Sequence, residues 1–104
     1  MANFSLVPEP TFKAKVAIPI PGKKPQNIEF TFKWRDGDAL KEFVDALGNF
    51  DTDTDAAMEF ATGWDLADAF SRENVEKLIK NYPGAAKALV TTYLGENAGA
   101  RLGN

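Results

Sequence analysis

An α+β fold is predicted by a change of hydrophobic period along the chain. Two runs that alternate with period two come first, and stretches with a period of about 3.6 follow. Gly and Pro clusters separate the runs, as turns and helix stops require. Size is the third observation: 104 residues, 44% hydrophobic and 26% charged, match one ordinary globular domain.

In residues 11–18, Phe12, Ala14, Val16 and Ile18 share one face while Lys13 and Lys15 take the other, which predicts a half-buried strand. Residues 27–34 repeat the pattern, with Ile28, Phe30, Phe32 and Trp34 opposite Glu29, Thr31 and Lys33. Residues 19–26 contain Pro19, Pro21, Gly22 and Pro25, so they read as a turn with a long, basic and mobile loop. The result is an N-terminal antiparallel hairpin. Two strands alone are marginal in water, so its apolar face needs cover from helices or from strands of a second copy.

About four helices follow. Asp36 and Asp38 are N-cap candidates for the first, Leu40, Phe43, Val44 and Leu47 form its stripe, and Gly48 stops it. The second is predicted over residues 54–62, with Ala57, Phe60 and Ala61 on one face and Gly63 as its stop. Ser71 caps the third, Phe70 and Val75 are placed as a hydrophobic staple, and Val75, Leu78, Ile79 and Tyr82 make its buried stripe. Pro83 and Gly84 break it, and Ala86, Leu89, Val90 and Tyr93 mark the fourth. Residues 1–94 are thus expected to be one domain, and residues 95–104, with three glycines, a flexible tail.

Composition narrows the chemistry. There is no Cys and no His, which removes thiol nucleophiles, thiolate zinc sites and the commonest general base. A non-enzymatic domain without cofactor is expected. No basic start followed by an apolar run marks a targeting segment and no stretch approaches a membrane span, so a cytosolic protein is expected. The net charge of −3 conceals polarity: residues 1–35 carry +4, residues 36–76 carry −10 and residues 77–104 carry +3. Such segments can dock on each other, on further copies or on a basic partner, or simply form a solvated acidic surface.

The motifs that resemble reactive sites fail on inspection. Asp51, Asp53 and Asp55 alternate as at the start of a calcium loop, but the sixth position holds Ala56 where Gly is needed and the twelfth holds Thr62 where Glu is needed. These acids fit the start of a helix, where carboxylates favour the positive end of the dipole. Asp65 and Asp68 lie three apart with no sign of a cleft. Gly22, Lys23 and Lys24 lack the remainder of a phosphate loop. Lys13, Lys15, Lys23, Lys24, Lys33 and Arg35 gather near aromatics, but a pI of about 4.9 opposes attraction to nucleic acid. Residues 60–70 are unusually apolar for a connection. Phe60, Trp64, Leu66 and Phe70 beside Asp65 and Asp68 are read either as satellite core or as an acidic-rimmed surface for an amphipathic partner segment.

The order of several stretches resembles the tail assembly chaperones of long-tailed bacteriophages: Pro8 to Phe12 leading into Val16 to Gly22; Ile28 to Lys33; Gly63 to Leu66 running to Phe70 to Leu78; Tyr82 to Ala85; and Gly99 to Asn104. The resemblance spans nearly the whole chain and rests on fold and turn residues. It implies a non-enzymatic helper in the host cytoplasm, absent from the mature virion, that binds and solubilises the tape measure protein while the tail tube polymerises around it. It also implies a longer product made by ribosomal frameshifting, a homo-oligomer, and contact with the tail tube protein. The competing expectation is a structural virion protein of the tail or the head–tail junction. No catalytic residue is implied; Phe60, Trp64, Leu66 and Phe70 are the expected partner contacts.

Overall fold

The computed structural model describes residues 3–99. The two alternating runs form β1 (Thr11–Ile20) and β2 (Lys23–Lys33), antiparallel, with Phe12 opposite Phe32, Ala14 opposite Phe30 and Val16 opposite Ile28. This register puts every large apolar side chain of the hairpin on one face and leaves Lys13, Lys15 and Lys33 exposed on the other.

The expected long loop over residues 19–26 is not formed. Both strands run through it and meet at Pro21 and Gly22, flanked by the pair Ile20 and Lys23. Gly22 has φ +73°, so Pro and Gly occupy the two central positions in the order of a type II turn. Pro19 and Pro25 fall at the register shift between Ile18 and Ile20, the kind of irregularity where a strand tolerates proline.

Beyond β2, Asp36 caps α1 (Gly37–Ala46) by accepting from the Ala39 N–H at 2.8 Å, and a 3-10 turn (Leu47–Asn49) ends it. Thr52 caps α2 (Asp53–Phe60), with Asp53 and Asp55 in its first turn, as the alternating aspartates suggested. The predicted second helix is then cut short. Residues 61–64 form β3 (Ala61–Trp64), which pairs antiparallel with β2 to complete a sheet in the order β1-β2-β3. Ala61 and Gly63 therefore belong to a strand; Gly63 lies opposite Thr31 and does not act as a helix stop. The hairpin gains its third strand from its own chain.

Ser71 caps α3 (Arg72–Asn81) as expected, accepting from the Asn74 N–H at 3.2 Å. After Pro83 and Gly84, α4 (Ala85–Asn97) carries Ala85, Leu89 and Tyr93 into the core. Residues 95–97, expected to belong to a flexible tail, are the last turn of α4. Asn97 ties that turn to the end of β2, accepting from the Arg35 N–H at 2.9 Å and donating to the Arg35 carbonyl at 2.8 Å. Residues 100–104 lie outside the described residues.

The helices cover the apolar face of the sheet, and aromatic rings fill the space between them. Tyr93 stacks on Phe60 with centroids 4.7 Å apart and meets Phe32 and Phe43 at 5.4 and 5.7 Å. Its hydroxyl donates to the Lys33 carbonyl at 2.8 Å and accepts from the Arg35 guanidinium at 2.9 Å. Arg35 also donates to the Glu59 carbonyl and lies 4.6 Å from the centre of the Phe43 ring. The polar tip of a fully buried Tyr is thereby satisfied at the edge of the core.

Candidate functional site

One concavity lies at the turn end of the sheet. It is an open groove of about 320 Å³. Ile18, Ile20 and Ile28 from the hairpin form one wall, Trp64 and Leu66 the floor, and Leu78 of α3 with Tyr82 just beyond it the other wall. Gln26, Asp68, Asn74, Lys77 and Asn81 rim it. Apolar walls with a few polar groups at the lip suit the burial of side chains from a partner.

The chain from Trp64 through residues 65–70 forms the floor, and hydrogen bonds hold it at Asp65, Asp68 and Ala69. Asp65 extends the β3 ladder, donating its N–H to the Glu29 carbonyl at 3.0 Å while its Oδ1 accepts from the Glu29 N–H at 3.1 Å. The Trp64 indole N–H donates to the Asp68 carbonyl at 2.8 Å, and the Asn74 side-chain amide donates to the Ala69 carbonyl at 2.7 Å. Trp64 packs edge-on against Phe30 at 5.8 Å and against Phe70 at 5.2 Å. Leu66 is consequently presented by a fixed backbone, half-buried, with its free side toward the groove.

Of the four expected partner contacts, Trp64 and Leu66 line this groove and Phe70 supports Trp64 from behind. Phe60 is elsewhere. It is 0% exposed, stacked on Tyr93 and edge-on to Phe43, so it offers no surface in this fold. Sequence patterning assigned it correctly to the inner face of a helix but merged it with the connection that follows. Ile20, in β1 rather than a turn loop, and Leu78 and Tyr82, partly exposed rather than wholly buried, join the groove as well.

The acidic motifs have structural work. Asp55 pairs with Arg72 across α2 and α3, and that hydrogen bond is the main reason its carboxyl is held below the ordinary value of 3.8, with Thr52 adding to it. Asp65 is engaged by Glu29, its Oδ1 accepting from the Glu29 N–H. Among the described residues no three His, Cys, Asp or Glu side chains gather as metal ligands, and no helix is long and apolar enough to cross a membrane.

A family model described as phage tail assembly chaperone matches residues 1–104. The chain belongs to the phage tail assembly chaperone family. No curated protein and no solved structure matches it. Membership makes this chaperone a non-catalytic kind of protein whose partner is a phage tail component.

Proposed function

We propose that this chaperone binds and solubilises the tape measure protein during tail morphogenesis in the host cytoplasm, and that the groove floored by Trp64 and Leu66 receives an apolar segment of that client. The observation carrying the reading is the groove itself: seven apolar side chains on a pinned backbone, rimmed by amides and by Asp68 and Lys77. An amphipathic client segment would bury its apolar side chains there and leave its polar groups at the rim, giving many modest contacts that release when the tail tube takes over. The tail tube protein is a second partner in this scheme. A longer frameshifted product would carry the same groove, and neither form remains in the mature virion.

Co-expression with a tape measure protein tests the client: wild type keeps it soluble and co-purifies with it, and a client that precipitates regardless overturns the assignment. Paired substitution of Trp64→Ala and Phe70→Ala weakens capture. Trp64 also packs on Phe30, so Leu66→Ser, on the open side of the floor, separates binding from folding. A folded Leu66→Ser chain that captures the client as wild type does would show that the groove is not the site. Mass spectrometry of purified particles completes the test, since abundant copies in finished tails would make this a structural subunit.

A further inference from the structure

Of the four helices, α1 is the least fastened to the rest of the molecule. Phe43 is its one buried side chain, 5% exposed; Leu40 is half-buried, and Lys41, Glu42, Val44 and Asp45 face solvent. Among the described residues no hydrogen bond or ion pair joins a side chain of α1 to another element. Its backbone closely approaches the 3-10 turn that follows it and otherwise meets the fold only at isolated points. The α3 helix also buries a single side chain, Val75, but Arg72 ties it to Asp55 of α2 and Asn74 ties it to Ala69.

The attachment is therefore one ring in one socket. Phe43 lies edge-on to Phe60 and Tyr93 at 5.6 and 5.7 Å, tilted against Phe50 at 6.2 Å, with the Arg35 guanidinium 4.6 Å from its centre. Burial of a single Phe ring supplies only a fraction of the stability of a typical domain, so it cannot hold α1 as firmly as the sheet and α4 hold each other.

Charge and length both oppose α1 once the ring leaves its socket. Residues 36–55 carry seven acidic side chains against Lys41 alone, so like charges crowd the closed helix. Asp45 sits in the last turn, at the negative end of the helix dipole, and no basic residue there offsets it. Ten residues are also too few to persist alone, since isolated helices shorter than about 12–15 residues are marginal in water. A detached α1 unwinds, and its amides lose their protection.

We propose that α1 is a strap that opens and unwinds as a unit between Asp36 and Phe50 while the sheet, α2, α3 and α4 stay folded. Opening draws Phe43 out of its socket and uncovers ring edges of Phe60 and Tyr93, both of which are 0% exposed in the closed fold. Phe60 is thereby reached from solvent through a local event, without unfolding of the domain. No residue of α1 lines the groove floored by Trp64 and Leu66, so the strap stands apart from the proposed client site.

Native-state hydrogen exchange of the full chain, read amide by amide across a urea series, tests the strap. The amides of residues 41–46 exchange together, at least about a hundredfold faster than the slowest amides of β2 and α4, and respond weakly to urea because the opening exposes little surface. Val16→Ala removes buried methyl groups from β1; it speeds exchange in β2 and α4 about tenfold or more and leaves residues 41–46 unchanged. Phe43→Leu speeds residues 41–46 and the core by the same factor, because the anchoring ring is lost in the open and the unfolded states alike. Should Val16→Ala fail to fold, the urea series on the wild type decides alone. Residues 41–46 that exchange as slowly as the core with the same urea dependence, that exchange at unrelated rates, or that accelerate with the core in Val16→Ala would each overturn the inference.

Discussion

Tyr93 concentrates more of the fold's requirements than any other side chain. Its ring is fully buried among Phe12, Phe32, Phe43 and Phe60, and its hydroxyl joins Lys33 to Arg35. Tyr93→Phe keeps the packing and removes both hydrogen bonds, so a loss of about 1–2 kcal/mol is expected in urea denaturation. Arg35→Lys should cost a similar amount, because an ammonium cannot bond Tyr93 and Glu59 together while lying flat over Phe43. The double variant should lose less than the sum, since both changes act on one network. Asp55 gives a pH signature of its own. The hydrogen bond from Arg72 lowers its carboxyl pKa in the folded state, so its contribution is present above the unfolded value of 3.8 and disappears as pH falls through the lower folded value. Arg72→Gln should therefore flatten the acid end of the stability profile. The effect is small because both side chains are solvent-accessible, and it diminishes with salt. Urea midpoints measured from neutral pH down through the aspartate range decide it; an unchanged acid limb would mean the pair contributes nothing.

At the scale of elements, two glycines that look alike in sequence have opposite consequences. Gly84, before α4, lies so close to β1 that an added Cβ would sit 3.0 Å from Cγ of Pro19. Gly84→Ala should cost about 1–3 kcal/mol by forcing α4 off the sheet. Gly63 in β3 has ordinary backbone angles, and a Cβ there would meet Thr31 at a relaxed 3.6 Å. Gly63→Ala should be neutral or stabilise by up to about 1 kcal/mol, because it restricts the unfolded chain. Thermal unfolding of the two variants tests both; a Gly63→Ala chain as damaged as Gly84→Ala would mean the strand assignment is wrong. The contrast also explains what could be read from sequence. Period two over Phe12 to Ile18 and Ile28 to Phe32, the caps Asp36 and Ser71, and the break at Pro83 and Gly84 are local signals, and the structure follows them. β3 was hidden because four residues are too few to show a period, and Ala61 and Thr62 continued an acceptable helical pattern. Its pairing depends on Phe30 and Thr31, some thirty positions earlier. The groove was half legible for the same reason. Trp64 and Leu66 stood out as large apolar residues in a connection, whereas Ile18, Ile28 and Leu78 join them only through the fold.

For the whole molecule, the segmental charges become surfaces. The open face of the sheet carries Lys13, Lys15 and Lys33, with Glu29 opposite Lys15, while the acidic residues of α1 and α2 are exposed on the helical side except for half-buried Asp55. A surface of one sign attracts an oppositely charged partner beyond contact distance, and salt screens that attraction over about 10 Å at roughly 0.1 M. If the client carries a basic stretch beside the apolar segment that enters the groove, its capture should slow as salt rises, with most of the change in the association rate. Neutralising Asp38, Glu42 and Asp45 to Asn, Gln and Asn should flatten that salt dependence without altering the groove, because these exposed side chains on α1 line no part of it. Stopped-flow capture across a salt series measures the effect, and capture that ignores salt would reduce the acidic side to a solubility device.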